Sequence, residues 1–191
     1  KDAYVVGQSL LFGSSDTLDH TFQTANGLQK NTFSAWMKIS ASGDMDIPKN
    51  IFSTEVDSSN KQKLYWYQGT MRLLITNGGQ VTCGLYTNQV LIDESAWYHI
   101  VVSIDTTQSI ESERAKIFIN GERVTDFTYE TYPTQNVGGW WGYNLKHSIG
   151  AHWDSGSFTE FYDGYMSEDY FINDQALGPD NFALTDSNGV Y

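Results

Sequence analysis

SFTEFYDGYMSEDYFINDQAL, residues 157 to 177, decides the fold of this chain. It follows SAWYHIVVSID (95 to 105) and AKIFINGERV (115 to 124). Each segment alternates β-branched and aromatic residues with polar ones, which is the period of a strand rather than a helix. Asn120 and Gly121 supply the left-handed backbone angles that a two-residue hairpin turn needs. The order of segments predicts a β-meander.

In WYHIVVSI the period of two puts Tyr98, Ile100, Val102 and Ile104 on one face and Trp97, His99, Val101 and Ser103 on the other. The first face is nearly all apolar. The second is mixed, as in a strand of two stacked sheets whose outer side meets solvent or a partner. Further strands are expected over Ser9 to Phe12, Leu18 to Thr21, Thr32 to Ile39, Ile51 to Val56, Lys63 to Tyr67, Met71 to Thr76 and Gln80 to Tyr86. Trp97 to Ile104, Ala115 to Asn120, Glu122 to Asp126, Ser148 to His152 and a long Phe158 to Ile172 complete the set. In LYWYQGTMRLLI (64 to 75) the alternation assigns Trp66 to the core and Tyr65 and Tyr67 to the outside, with a turn at Gly69. Helix signals are nearly absent, apart from one short turn in LGPDNF (177 to 182), where Pro179 suits a first turn. Two antiparallel sheets of about five to seven strands each are expected.

Composition narrows the function. A chain of 191 residues without internal repeat or low-complexity linker is expected to form one domain. The glycines stand at turn-like places such as NGG (77 to 79) and VGGWWG (137 to 142). No apolar stretch is long enough to span a bilayer and no signal segment opens the chain, so it is expected to be soluble without membrane insertion; its start at Lys1 suggests a trimmed product. A net charge of −12 argues against nucleic acid, whose affinity rests on Lys and Arg at the phosphates. Cys83, alone in VTCGLY, can form no internal disulfide and is expected to be buried, which fits assembly in a reducing cytoplasm.

Taken in order, SLLFG (9 to 13), TFSAWMKI (32 to 39), NIFST (50 to 54), SAWYHIVVSIDTTQ (95 to 108), AKIFINGERVTDF (115 to 127), HSIGA (147 to 151) and DGYMSEDYFINDQALGPDNF (163 to 182) cover most of the chain. In this order they resemble the laminin-G-like, concanavalin-A-like jelly rolls. The wording is most similar to such domains in bacteriophage virion proteins, where Gly-Tyr, Phe-Ile and Ala-Leu run into a turn and a segment like TDSNGVY (185 to 191). The resemblance implies an all-β jelly-roll β-sandwich of two antiparallel sheets, a single domain over residues 1–191. It implies a place on the virion surface, in a tail fibre or decoration protein. The partners it implies are a cell-surface glycan or receptor, other virion proteins and further copies of the chain.

Some jelly rolls of this superfamily are endoglucanases with paired carboxylates written Glu-x-Asp-x-Glu or Glu-x-Asp-x-x-Glu. The nearest text here is EVDSSN, with Glu55 and Asp57 in place but Asn60 where the second Glu belongs. An amide cannot serve as a general acid near neutral pH, so no enzyme is expected. Gly-x-Ser-x-Gly and HExxH patterns are absent. Calcium is the cofactor the resemblance implies, at oxygen-rich loops: SASGDMD (40 to 46), EVDSSN (55 to 60) and HWDSGS (152 to 157). Asp57 and Asp154 are the metal candidates, with Asp44 and Asp46 beside them; solvated loop carboxylates are the alternative for all four.

The ligand signal lies in the loop Thr131 to Lys146, and within it in VGGWWGYN (137 to 144). Trp140, Trp141 and Tyr143 stand among three glycines, a setting that suits flat aromatic faces displayed at a rim for sugar C–H faces. Gln135, Asn136 and Asn144 are placed to bond hydroxyls, and Trp153 extends the patch. The alternative is that Trp140 and Trp141 fold back to plug the sandwich or meet a neighbouring subunit.

Overall fold

The computed structural model describes residues 7–40 and 45–183. Fifteen strands run in order: β1 Leu10–Phe12, β2 Leu18–Thr21, β3 Lys30–Ile39, β4 Lys49–Asp57, β5 Asn60–Tyr67, β6 Thr70–Asn77, β7 Gln80–Val90, β8 Tyr98–Asp105, β9 Ala115–Ile119, β10 Glu122–Arg123, β11 Phe127–Thr131, β12 Lys146–Ile149, β13 His152–Asp154, β14 Ser157–Thr159 and β15 Gly164–Asn173. They form a six-stranded sheet, β1-β15-β3-β8-β9-β10, and a seven-stranded sheet, β11-β7-β6-β5-β4-β12-β2, with β13-β14 as a separate hairpin. Every pairing is antiparallel. The two antiparallel sheets expected from the alternation, and the jelly-roll sandwich the resemblance implies, are therefore present.

Phe33, Met37, Ile100, Val102 and Ile117 from the first sheet meet Phe52, Leu64, Trp66, Met71, Leu73 and Leu85 from the second in one core. Each such side chain contributes about 1.5–3 kcal/mol by leaving water. The two faces of β8 divide as expected, but the second face is not solvated: His99, Val101 and Ser103 are at most 2% exposed. The segment after β15 crosses that face, with the Thr32 hydroxyl donating to the Gln175 carbonyl and accepting from the Leu177 N–H. The short 3₁₀ turn Pro179–Asn181 follows, and Phe182 lies against His99 and Tyr170.

The β9–β10 hairpin turns at Asn120 (φ 50°) and Gly121 (φ 84°), both left-handed as the Asn-Gly pair requires. Several strands run beyond their expected ends, β7 by four residues to Val90, and three segments differ from the sequence expectation in kind. The strand expected from Phe158 to Ile172 is two, because Glu160 (φ 51°) turns the chain, and buried Tyr162 then anchors it by donating to the Lys38 carbonyl. The segment Ser148 to His152 breaks at Gly150, where the Phe12 ring occupies the place of a Cβ. Pairing after the hairpin stops at Arg123, and the unexpected β11 joins the edge of the seven-stranded sheet beside β7. TDSNGVY (185 to 191) and Asp44 lie outside the described residues.

Cys83 is fully buried and burial pushes its thiol well up, so it stays protonated and unreactive. Among the described residues no helix is long and apolar enough to cross a membrane.

Candidate functional site

The outer face of the seven-stranded sheet follows from strand alternation. In β5, Leu64 and Trp66 point to the core, so Lys63, Tyr65 and Tyr67 point away from it. In β6 the same rule sends Met71 and Leu73 inward and Arg72 outward. The register then aligns side chains across strands: Tyr65 is opposite Arg72, Arg72 opposite Tyr86, and Tyr86 opposite Tyr129. Directly opposed residues share a face, so these four form a transverse row on β5, β6, β7 and β11. At about 4.8 Å per strand the row is about 14 Å long.

Contacts within the row are close. The Arg72 guanidinium carbon lies 4.4 Å from the Tyr67 ring centre and 4.9 Å from that of Tyr86. Arg72 Nε donates to Thr70 Oγ1 at 3.2 Å. The Tyr65 hydroxyl sits with Tyr86 and Arg72, and burial pushes its phenol well above the usual range. Tyr86 and Tyr129 rings are 5.1 Å apart, and Tyr129 lies over Gly84, where any side chain would collide with its ring. Tyr65 is on the outer face as expected, yet only 8% exposed, while Tyr129 is 42% exposed. The row is a fixed aromatic floor with one open end.

The β13–β14 hairpin walls the other end. It turns through Ser155 (φ 48°) and Gly156 (φ 108°) and folds over β4. His152 Nδ1 is 3.2 Å from Ser53 Oγ, and its Nε2 is 2.8 Å from Glu55 Oε2, both side chains being almost fully buried. Burial raises the Glu55 carboxyl and pulls His152 down to about 3, so the imidazole beside that carboxyl is neutral. Lys63, also buried, pairs with Glu160 and lies 4.9 Å from the Tyr65 ring. On the outside of the hairpin Trp153 packs edge-on against Phe158 and carries Lys146 Nζ 3.9 Å above its ring.

The residues singled out in the sequence are only partly gathered here. Trp153 belongs to the hairpin wall. Trp141 is fully buried between Phe52 (4.9 Å) and Phe33 (6.3 Å), so its ring faces the core and not a rim. Trp140 is half-buried, its indole N–H donating to the Thr76 carbonyl at 2.7 Å; both tryptophan backbone N–H groups donate to Gln62 Oε1. The glycines serve close approach: a Cβ at Gly139 would strike Gln62, and one at Gly142 (φ 83°) would strike the Asn26 carbonyl. Tyr143 leans edge-on against Trp140, and Asn144 is exposed. Gln135 and Asn136 are exposed, Gln135 Nε2 donating to the Thr107 carbonyl and the Asn136 carbonyl accepting from Gln29. The loop plugs the sandwich, away from the tyrosine row.

The carboxylates of EVDSSN are spent on structure. Glu55 lies under the hairpin, and Asp57 closes the β4–β5 turn, accepting from the Ser59 N–H and from Asn60 Nδ2. The Asn60 amide and that N–H hold the Asp57 carboxyl below its usual range. They do not form an exposed acid and nucleophile pair. Asp57 and Asp154 also belong to no group of three or more His, Cys, Asp or Glu side chains that could hold a metal ion among the described residues. A calcium ion at these loops would have to draw most of its oxygens from backbone carbonyls and side-chain amides. Hollows of about 430 Å³ beside Leu10 and Asp169 and about 600 Å³ beside Ile110 and Tyr132 show no comparable alignment of rings.

The chain belongs to the concanavalin A-like lectin/glucanases superfamily, whose laminin G-type model matches residues 12–181. Among solved structures it is similar to the Ruminococcus gnavus IT-sialidase CBM40 bound to α2,3 sialyllactose (13% identity, 95% of this chain and 97% of that one, TM-score 0.62). It is also similar to domain 4 of AbnA, a GH43 extracellular arabinanase from Geobacillus stearothermophilus, in complex with arabinotriose (16% identity, 95% and 77% covered, TM-score 0.59). A third is the native heptameric SAP-like pentraxin from Limulus polyphemus (18% identity, 87% and 76% covered, TM-score 0.58). At these identities the likeness is one of fold alone. No curated protein matches the sequence significantly.

Proposed function

We propose that this protein is a non-enzymatic carbohydrate-binding module that lays a saccharide across the outer face of its seven-stranded sheet. The observation that carries this is the row Tyr65, Arg72, Tyr86 and Tyr129, aligned by register and extended by the Tyr67 ring. Sugar rings stack their C–H faces on such aromatics, while phenol and guanidinium groups bond their hydroxyls. The floor is held by its own contacts, so little ordering entropy opposes binding. The superfamily and the sugar-bound modules similar to this chain support the same reading.

The experiment is binding of the purified chain to a panel of bacterial surface polysaccharides and simple glycans by isothermal titration calorimetry. Tyr129→Ala and Tyr67→Ala are each expected to weaken the bound glycan about tenfold or more, as anchoring aromatics do. A fold left intact with affinity unchanged in both variants would sink the proposed face.

We propose in addition that such a module sits on a virion surface, facing a host glycan or receptor beside other virion proteins; what supports this is the similarity of the C-terminal wording to bacteriophage virion proteins. This setting is part of the proposal, and the three solved structures above are not virion proteins. Homo-oligomer formation belongs to it as well. Trp141, spent on the core, is not what would join the copies.

A further inference from the structure

We propose that the saccharide bound by the tyrosine row is acidic, and that Arg72 reads its carboxylate or sulfate group. The inference rests on the binding function proposed above and names the ligand class for that same face. In a chain of net charge −12 a cation without a counter-ion needs a reason. The other cations around this face have theirs: Lys63 pairs with Glu160, Lys61 Nζ is 4.0 Å from Glu55, and Lys146 Nζ is 3.4 Å from Asp19. Arg72 forms no ion pair among the described residues.

Its placement is nevertheless fixed. Two tyrosine rings and the Thr70 hydroxyl hold a half-buried guanidinium at the middle of the row. A guanidinium has five N–H donors, and Nε uses one on Thr70, so the forked amino groups retain donors for an incoming planar anion. Partial burial without a counter-ion costs free energy that a bound anion would return. Tyr67 and Tyr86, which touch the guanidinium, would meet the ring of the sugar that carries the acid group. A nucleic acid or another polyanion does not fit, because one arginine in a strongly negative protein cannot neutralise a run of phosphates.

The test uses matched oligosaccharides on the intact chain: a uronic-acid-containing glycan, its carboxyl-reduced neutral counterpart and a sulfated counterpart, each titrated calorimetrically. The acidic members are expected to bind about tenfold more tightly than the neutral one. Arg72→Gln should remove that difference, the acidic members losing more affinity than the neutral one until all three bind alike, and Arg72→Lys should restore part of it. Tyr129→Ala, by contrast, should weaken all three alike. The uronate against the sulfate separates the two acid groups. Equal binding of acidic and neutral members overturns the acidic-ligand inference and leaves the carbohydrate-binding function standing. Binding of no member of any such set removes both.

Discussion

Replacing Trp141 by alanine is expected to lower the folding free energy by about 3–5 kcal/mol, the cost of emptying a large aromatic site in a packed core. The ring is fully buried and touches Phe33, Phe52 and Phe171, which come from both sheets, so its loss opens a cavity where the sheets meet. Trp141→Phe is expected to cost far less. Among the described residues the buried indole N–H has no partner, and removing that unsatisfied donor offsets part of the lost packing. Trp140→Ala should fall between, since a half-buried ring and one hydrogen bond to Thr76 are lost. Urea denaturation of the three variants gives these values directly. A loss below about 1 kcal/mol for Trp141→Ala would contradict the placement of this loop. Where Trp141→Ala still folds, glycan affinity per folded molecule should be unchanged.

Acid is expected to destabilise the protein between pH 6.5 and pH 4, by about 3 kcal/mol in total. His147 Nδ1 lies 3.0 Å from the Leu145 carbonyl, to which it donates, and Nε2 accepts from the Gly142 N–H at 3.1 Å. That arrangement requires the neutral ring, which is packed among Phe22, Phe52 and Phe171. Burial accordingly pulls His147 down to about 4, and His99, stacked on Trp36, down to about 4 as well. The unfolded chain takes up these protons first, near pH 6.5, so stability is complete above that pH. It is lost as pH falls toward the folded values, about 3 kcal/mol for each imidazole. Asp169 works in the opposite sense: burial raises it to about 6, the folded state protonates first, and about 3 kcal/mol returns between pH 6 and 4. Burial raises Glu55 and lowers His152, so the two act in opposite senses and offset each other over this range. Urea denaturation at pH 7, 5.5 and 4 checks the net sign, and His147→Gln should flatten the profile. A wild-type stability that stays level to pH 4 would contradict the neutral buried imidazoles.

Much of the fold was legible because it is written within single segments. The alternation of Tyr98 to Ile104 and the Asn120-Gly121 turn each need only their own neighbours to be understood. β11 was missed because Phe127 to Thr131 is short and its side chains are largely exposed at a sheet edge, which leaves a weak pattern. The hairpin β13–β14 was concealed by Glu160, whose left-handed angle ends what looks like one continuous strand. The tyrosine row could not be read at all from spacing. Tyr65 and Arg72 share the hairpin segment 64 to 75, but Tyr86 and Tyr129 join them only through the register of β7 and β11. VGGWWGYN misled for a different reason: glycines beside tryptophans suit display at a rim and close packing equally well. The Gln62 side chain and the Asn26 carbonyl, remote in sequence, decide between them.

The central claim is the location of the saccharide, and chemical-shift mapping of the ¹⁵N-labelled protein during titration with a glycan it binds tests it most directly. Saturable shifts at Tyr65, Arg72, Tyr86 and Tyr129, with Gly138 to Asn144 unmoved, are the predicted result. Shifts confined to the 137–144 loop, with the tyrosine row silent, would contradict the account.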